Sequence, residues 1–230
     1  MSTLRIRLVL FDIDGTLLHT GGAGRKAFRE TFATAFGVSN AIEGVEFSGR
    51  TDTSLVRELF RRHGIEHTPA HVQQFFSCYY QWLGQILEHQ PGKACPGVWE
   101  FMEGLRSSPA PPLIGLLTGN VRLGAEIKLR QFGMWQEFVT GGFGDDHEDR
   151  GQIARIAKDR GSWTLGRELL GEEVMVIGDT PLDVACARAI GAPCLAVATG
   201  GATLEQLRES QPRWATTDLT TIPVQDLLRG

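Results

Sequence analysis

The sequence predicts an α/β protein: a doubly wound parallel sheet with helices on both faces, and a separate helical domain inserted after the first strand. Three observations predict it. Short β-rich runs alternate with longer helical patterns over most of the chain, as they do where helices cover both faces of a parallel sheet. Those runs are almost continuously apolar, which suits strands buried on both sides, whereas a sheet with one wet face alternates. From about Gly21 to Gln90 there is no convincing strand, and that stretch is too long for a single crossover connection.

The first strand is Ile6 to Phe11, broken only by Arg7 and running into two carboxylates. Leu113 to Leu117, Phe138 to Thr140, Val174 to Ile177 and Cys194 to Val197 follow, with Trp214 to Thr216 as a short edge strand. Helical patterns between them cover Val98 to Arg106, Arg122 to Phe132, Gln152 to Arg160, Pro181 to Ile190 and Leu204 to Glu209. Pro181 suits the first position of a helix, where its missing N–H costs nothing, and Gly191 closes that helix. Within the insert, Arg25 to Phe36, Ser54 to Gly64 and His71 to His89 carry helical spacing. Gly and Pro gather near His19 to Gly22 and near Pro91 to Pro96, which marks the linkers. The prolines at 107–112 read as a stiff surface loop. The expected organisation is a Rossmann-like core over 1–19 and 91–230, and an α-helical domain over 20–90.

Composition narrows the function classes. The 230 residues are 42% hydrophobic and 22% charged, enough apolar surface for one substantial core plus a small second domain. Lys and Arg total 23 against 27 Asp and Glu, a net charge of -4, and no basic run provides a nucleic-acid footprint. No stretch approaches the ~20 apolar residues of a membrane span. The first apolar run is too short for a secretory signal, so a cytoplasmic location is expected. Cys78, Cys95, Cys186 and Cys194 show no C-x-x-C pairing and read as reduced thiols.

Three strand ends carry the chemistry. Asp12-Ile13-Asp14-Gly15-Thr16 follows the first strand, where ligands of open α/β sheets bind. Two like charges this close persist most easily when a cation or reacting group compensates them. Val174 to Ile177 empties into Gly178-Asp179-Thr180-Pro181-Leu182-Asp183, with Asp183 one helical turn beyond Asp179. Carboxylates from two strand ends make a hard, oxygen-rich site of the kind that suits Mg²⁺. Leu116 and Leu117 lead into Thr118-Gly119-Asn120, a hydroxyl, a flexible residue and an amide able to hold a phosphoryl oxygen beside the N-terminus of the next helix.

In this order the motifs resemble the haloacid dehalogenase superfamily of phosphohydrolases, over nearly the whole chain. The resemblance rests on Asp12, Asp14, Gly15, Thr16, Thr118, Gly178, Asp179 and Asp183. It implies that the helical insert is the small cap of phosphoglycolate-phosphatase-like members, and that a small phosphorylated metabolite is hydrolysed by a monomer or homodimer. Asp12 is the implied nucleophile, forming an aspartyl-phosphate, and Asp14 the implied acid and base. Thr118, Gly119 and Asn120 are the implied phosphate contacts. The implied Mg²⁺ site comprises Asp12, the Asp14 backbone carbonyl and Asp179, with Asp183 either a direct ligand or behind one. A dehalogenase or phosphonate hydrolase has no need of Asp14. A phosphomutase of the β-phosphoglucomutase type keeps all the motifs and stays open, as does a binding protein on an inactive scaffold, although Asp12 and Asp179 are intact.

One departure stands out. Members of this type often carry Lys-Pro-x-Pro before the helix leading to the last motif; this chain has Gly144-Asp145-Asp146-His147-Glu148-Asp149-Arg150. Lys128, on the helix after Thr118, is the first candidate for the phosphate-binding cation because its side chain leans toward the helix N-terminus. Arg150 is the second. The acidic residues of that loop read as a solvated surface more than a second metal site. His63, His67 and His71 are spaced by four but interrupted by Gly64 and Pro69, which favours surface histidines over zinc ligands. Phe28, Phe32 and Phe36 read as cap core. Arg50, after Gly49, is a candidate substrate contact with a surface salt bridge as its alternative.

Overall fold

The computed structural model describes residues 6–90 and 92–228; Pro91, at the second expected linker, lies outside them. Six parallel strands form the main sheet: β1 (Leu8–Phe11), β4 (Leu113–Leu117), β5 (Thr140–Gly142), β6 (Val174–Gly178), β7 (Cys194–Val197) and β8 (Trp214–Thr216), in the order β5-β4-β1-β6-β7-β8. Side chains of β1 alternate between two layers. Val9 and Phe11 join a cluster with Phe101 and Met102 of α4 (Val98–Arg106), Leu129 of α5 (Arg122–Gln131) and Leu227 of α9 (Val224–Leu228). Leu8 and Leu10 join the other, with Ile153 of α6 (Arg150–Leu165), Val184 of α7 (Pro181–Ala189) and Leu207 of α8 (Leu204–Glu209). Burial on both faces is why the strands read as continuous apolar runs.

Two expectations shift. The third strand lies at Thr140–Gly142 instead of Phe138–Thr140, because Trp135–Glu137 closes a 3₁₀ turn and Val139 is left exposed. Helix α6 runs five residues past Arg160. Gly161 does not stop it; a Cβ there would press on Leu8 Cδ2 at 2.5 Å, so the glycine serves helix-to-sheet packing. Among the described residues no helix is long and apolar enough to cross a membrane.

The insert comprises α1 (Ala23–Phe36), α2 (Asp52–Arg62) and α3 (Pro69–His89). It owns a separate core in which Phe28, Phe32, Phe60, Phe75 and Tyr79 are buried. Phe28 meets Phe75 and Tyr79 edge-on at 5.0 and 5.1 Å, a geometry favoured by the ring quadrupoles. Val121 and Ile127 of the core's α5 segment join this cluster, so the cap is packed onto the mouth of the sheet. The chain enters and leaves the insert through β2 (Leu18–His19) and β3 (Lys93–Ala94), a two-residue antiparallel pair absent from the expected strands.

Candidate active site

Strands β4, β1 and β6 are neighbours, so their three chemistry-bearing ends share one crevice where the chain switches direction across the sheet. Asp12 extends the β1 ladder, its N–H donating to Ile177 O at 2.9 Å. Gly15 then turns the chain at φ 85°, a left-handed conformation that favours glycine. That turn brings the Thr16 hydroxyl to donate to Asp179 Oδ1 at 3.0 Å. At the start of α7, the Thr180 N–H and hydroxyl donate to Asp183 Oδ2 at 3.0 and 2.7 Å, fixing Asp183 by a reciprocal cap.

Oxygens of Asp12, Asp179 and Asp183, all buried, lie within 4.8 Å of one another. Burial pushes the Asp12 carboxyl up to about 7, with Asp183 raising it further and Arg150 partly opposing. Burial, then Asp183 and Asp12, pushes Asp179 up to about 8. Three crowded carboxylates, two of them pushed toward the neutral form, are a donor set suited to a cation at their centre. The Asp14 side chain lies apart from that trio: its Oδ2 accepts from Lys128 Nζ at 2.5 Å and Asn120 Nδ2 at 2.8 Å. Enclosure raises its carboxyl, and the Lys128 charge with these hydrogen bonds outweighs enclosure and holds it below the ordinary value.

At the end of β4, Thr118 Oγ1 accepts from Asn120 N at 3.2 Å and Nδ2 at 2.9 Å. Both lone pairs are therefore used, and the hydroxyl proton is free to be donated into the cavity. Gly119 lies beneath the cap loop, where a Cβ would collide with the Arg50 carbonyl.

The structure divides the two candidate cations. Lys128 reaches back along α5, its Nζ also donating to Asn120 Oδ1 at 2.6 Å. Arg150, at the first position of α6, ion-pairs with Asp183 and stands 3.9 Å from Asp12 Oδ1. Arg150, rather than Lys128, is thus beside the expected nucleophile. Arg50 lines the cavity and also pairs with Glu58 at 2.7 Å. The cavity measures about 370 Å³, and Phe28, Phe47, Leu55 and Tyr79 form its apolar cap wall.

The acidic loop is occupied structurally. Asp145 Oδ1 accepts from Arg122 N at 2.8 Å, Asp146 holds Arg160 by two bonds of 2.6 Å, Glu148 pairs with Arg57, and Asp149 caps α6. His63, His67 and His71 pack against the rings of Phe32, Phe36 and Phe60, and gather no metal-capable group among the described residues. Asp52 was not legible as a site residue. Its N–H donates to Gly119 O at 2.8 Å and its Oδ2 accepts from Val121 N at 2.9 Å, so the cap caps the core's α5. Burial pushes its carboxyl up to about 6. The only local sign was the Thr51-Asp52-Thr53 helix start, which says nothing of a partner 69 residues away.

Comparison with known proteins agrees with this fold. A candidate pyrophosphatase, PpaX, of Clostridium perfringens (strain 13 / Type A) is 26% identical over 211 residues, 90% of this chain and 91% of that one. The crystal structure of CbbY from Rhodobacter sphaeroides in complex with phosphate superposes with a TM-score of 0.73 at 18% identity, covering 94% of this chain and 96% of the other. A candidate β-phosphoglucomutase from Thermotoga maritima gives 0.64 at 20% identity, covering 97% and 99%. At such identities the solved structures establish the shared fold. The model of the haloacid dehalogenase-like hydrolases matches residues 6–191, through both aspartate-bearing strand ends and the helical insert between them, and the chain belongs to that family.

Proposed function

We propose that this protein is a Mg²⁺-dependent phosphohydrolase that cleaves a small phosphorylated metabolite through an aspartyl-phosphate on Asp12. The observation that carries the reading is the meeting, under the cap, of three buried carboxylates with the Thr118 hydroxyl and two cations on opposite carboxylates. The donor set fits a hard dication: all oxygen, buried, and three carboxylates against the single charge of Arg150. Asp12, Asp179 and Asp183 would hold it, and Asp14 would join only through its backbone carbonyl, as the resemblance implies. When bound, Mg²⁺ supplies charge neutralisation for the phosphoryl oxygens.

The chain's own groups carry the steps. An Asp12 oxygen attacks phosphorus as the bond to the leaving oxygen breaks, dividing one difficult displacement into two easier ones. Arg150 neutralises charge on the transferring group and Thr118 donates to one of its oxygens, the electrostatic work that dominates phosphoryl transfer. Asp14 gives a proton to the leaving oxygen first, and the carboxylate so formed then takes the proton of the water that hydrolyses the aspartyl-phosphate.

The test is phosphate release across a panel of phosphomonoesters, with pyrophosphate included because of the candidate relative, followed by acid quench and mass spectrometry. Phosphorylation on Asp12 with inorganic phosphate released each turnover supports the reading. Transfer of the phosphoryl group to a second sugar phosphate with no phosphate released would make the protein a mutase, and hydrolysis undiminished in Asp12→Asn would refute the covalent route.

A further inference from the structure

Lys128 occupies an expensive position for a cation. It is 3% exposed, on a helix that leads away from the crevice, yet its ammonium returns to the cavity wall. Two of its three protons are committed, to Asp14 Oδ2 at 2.5 Å and Asn120 Oδ1 at 2.6 Å, and no acceptor for the third exists among the described residues. The cap leaves room beside it: Gly24 of α1 faces the ammonium, and a Cβ there would come within 3.4 Å of Nζ. A buried lysine with an uncommitted proton and adjoining space is placed to meet a ligand anion.

The side on which it stands decides which anion. In an in-line displacement the attacking and departing oxygens lie on opposite sides of phosphorus. Arg150 stands beside Asp12, the attacking group, and Lys128 is bonded to Asp14, the group that serves the departing oxygen. An alcohol expelled from a phosphomonoester takes the electron pair of the broken bond as an alkoxide and needs a proton. A phosphate or carboxylate expelled from an anhydride takes that pair as a stable oxyanion and needs a counter-charge instead. A fixed ammonium supplies the second need directly.

Resting on the phosphohydrolase reading above, we propose that Lys128 is a specificity-determining residue that fits this site to anhydrides, phosphoric or acyl phosphoric, whose leaving group departs as an anion. The reaction balances without a further reactant. Asp12 oxygen bonds to phosphorus, the bridging P–O bond breaks, and its electron pair leaves on the oxyanion held by Lys128. Water then attacks the aspartyl-phosphate, gives its proton to Asp14, and restores Asp12 with release of phosphate.

The experiment compares kcat/KM for pyrophosphate, acetyl phosphate, glycerol phosphate and p-nitrophenyl phosphate in the intact chain, Lys128→Gln and Lys128→Arg. The expected result is a preference for the two anhydrides over glycerol phosphate of tenfold or more. Lys128→Gln should lower kcat on the anhydrides by roughly 10²–10³, the usual cost of one preorganised electrostatic contact, with a markedly smaller loss on glycerol phosphate and partial recovery in Lys128→Arg. Because Lys128 is buried and its variants can misfold, a second arm leaves it intact. Asp12→Asn should bind methylenediphosphonate at least tenfold more tightly than glycerol phosphate by calorimetry. Equal losses on every substrate, or a preference for glycerol phosphate in either arm, overturns the proposal while leaving the hydrolase reading standing. No hydrolysis of any of the four, p-nitrophenyl phosphate included, overturns both.

Discussion

Replacing Asp12 by Asn keeps the size of the side chain and removes both the proposed nucleophile and one of three crowded carboxylates. Phosphate release should fall by about 10³-fold or more, while thermal melting of the metal-free protein stays level or rises, because the variant no longer confronts Asp183 with a like charge. A melting temperature well below the parent's would show that Asp12 stabilises the fold. Arg150 behaves in the opposite sense. Arg150→Met should lower kcat by roughly 10²–10³ and also destabilise, since it strands the fully buried Asp183 without its partner. Arg150→Lys should recover much of both in turnover assays and urea titrations, and failure of recovery in kcat alone would mean that the forked guanidinium geometry is needed.

At the level of the element, helix α5 begins on Val121, which has no side chain able to cap it. The cap domain takes the Val121 N–H through Asp52, beside the Thr118–Asn120 turn, and Asp145 takes the Arg122 N–H. Asp52→Leu should therefore cost about 1 kcal/mol, as loss of one hydrogen bond does, raise KM more than it lowers kcat, and speed amide exchange at 119–124. Asp52→Asn, which keeps an acceptor oxygen, should restore most of the protection. Unchanged exchange in Asp52→Leu would dismiss the cross-domain cap. Such couplings define what the sequence shows and hides. The strands β1, β4, β6 and β7, and the carboxylates at the ends of β1 and β6, are legible because burial on both faces and glycine-bearing turns leave local patterns. β5 is misplaced because Gly141 and Gly142 offer no side chains to mark a strand. Asp52 is hidden, and the ranking of Lys128 over Arg150 is not matched beside Asp12, because both depend on which loop the fold brings to which strand end. No spacing along the chain records that.

For the whole molecule, the crowded carboxylates tie stability to pH and metal. Asp12 and Asp179 have folded-state values near 7 and 8 against an ordinary 3.8. A raised carboxyl stabilises the fold below its unfolded value and loses that contribution as pH climbs through the folded one. Metal-free protein should thus lose this contribution between about pH 4 and pH 8. At the proposed site Mg²⁺ would bind the ionised form, so the rise in melting temperature on adding Mg²⁺ should be larger at pH 8 than at pH 5.5. At a hundredfold excess over Kd the linkage is worth about 2.7 kcal/mol. A Mg²⁺ effect independent of pH, measured by scanning calorimetry, would argue against the acidic trio as the site.

The short pairing of Leu18–His19 with Lys93–Ala94 has a consequence for modularity. Paired strands lie about 4.8 Å apart, so the insert leaves the core and rejoins it at nearly the same point. The loop-closure entropy of a long excursion grows only with the logarithm of its length, and the ends here are pinned together whatever lies between them. The cap is in this sense a detachable module. Its length and outward-facing sequence are free to vary in an evolving or engineered chain without altering the path of the sheet, provided that the gateway pair and the contacts onto α5, Gly119 and the 144–148 loop are kept.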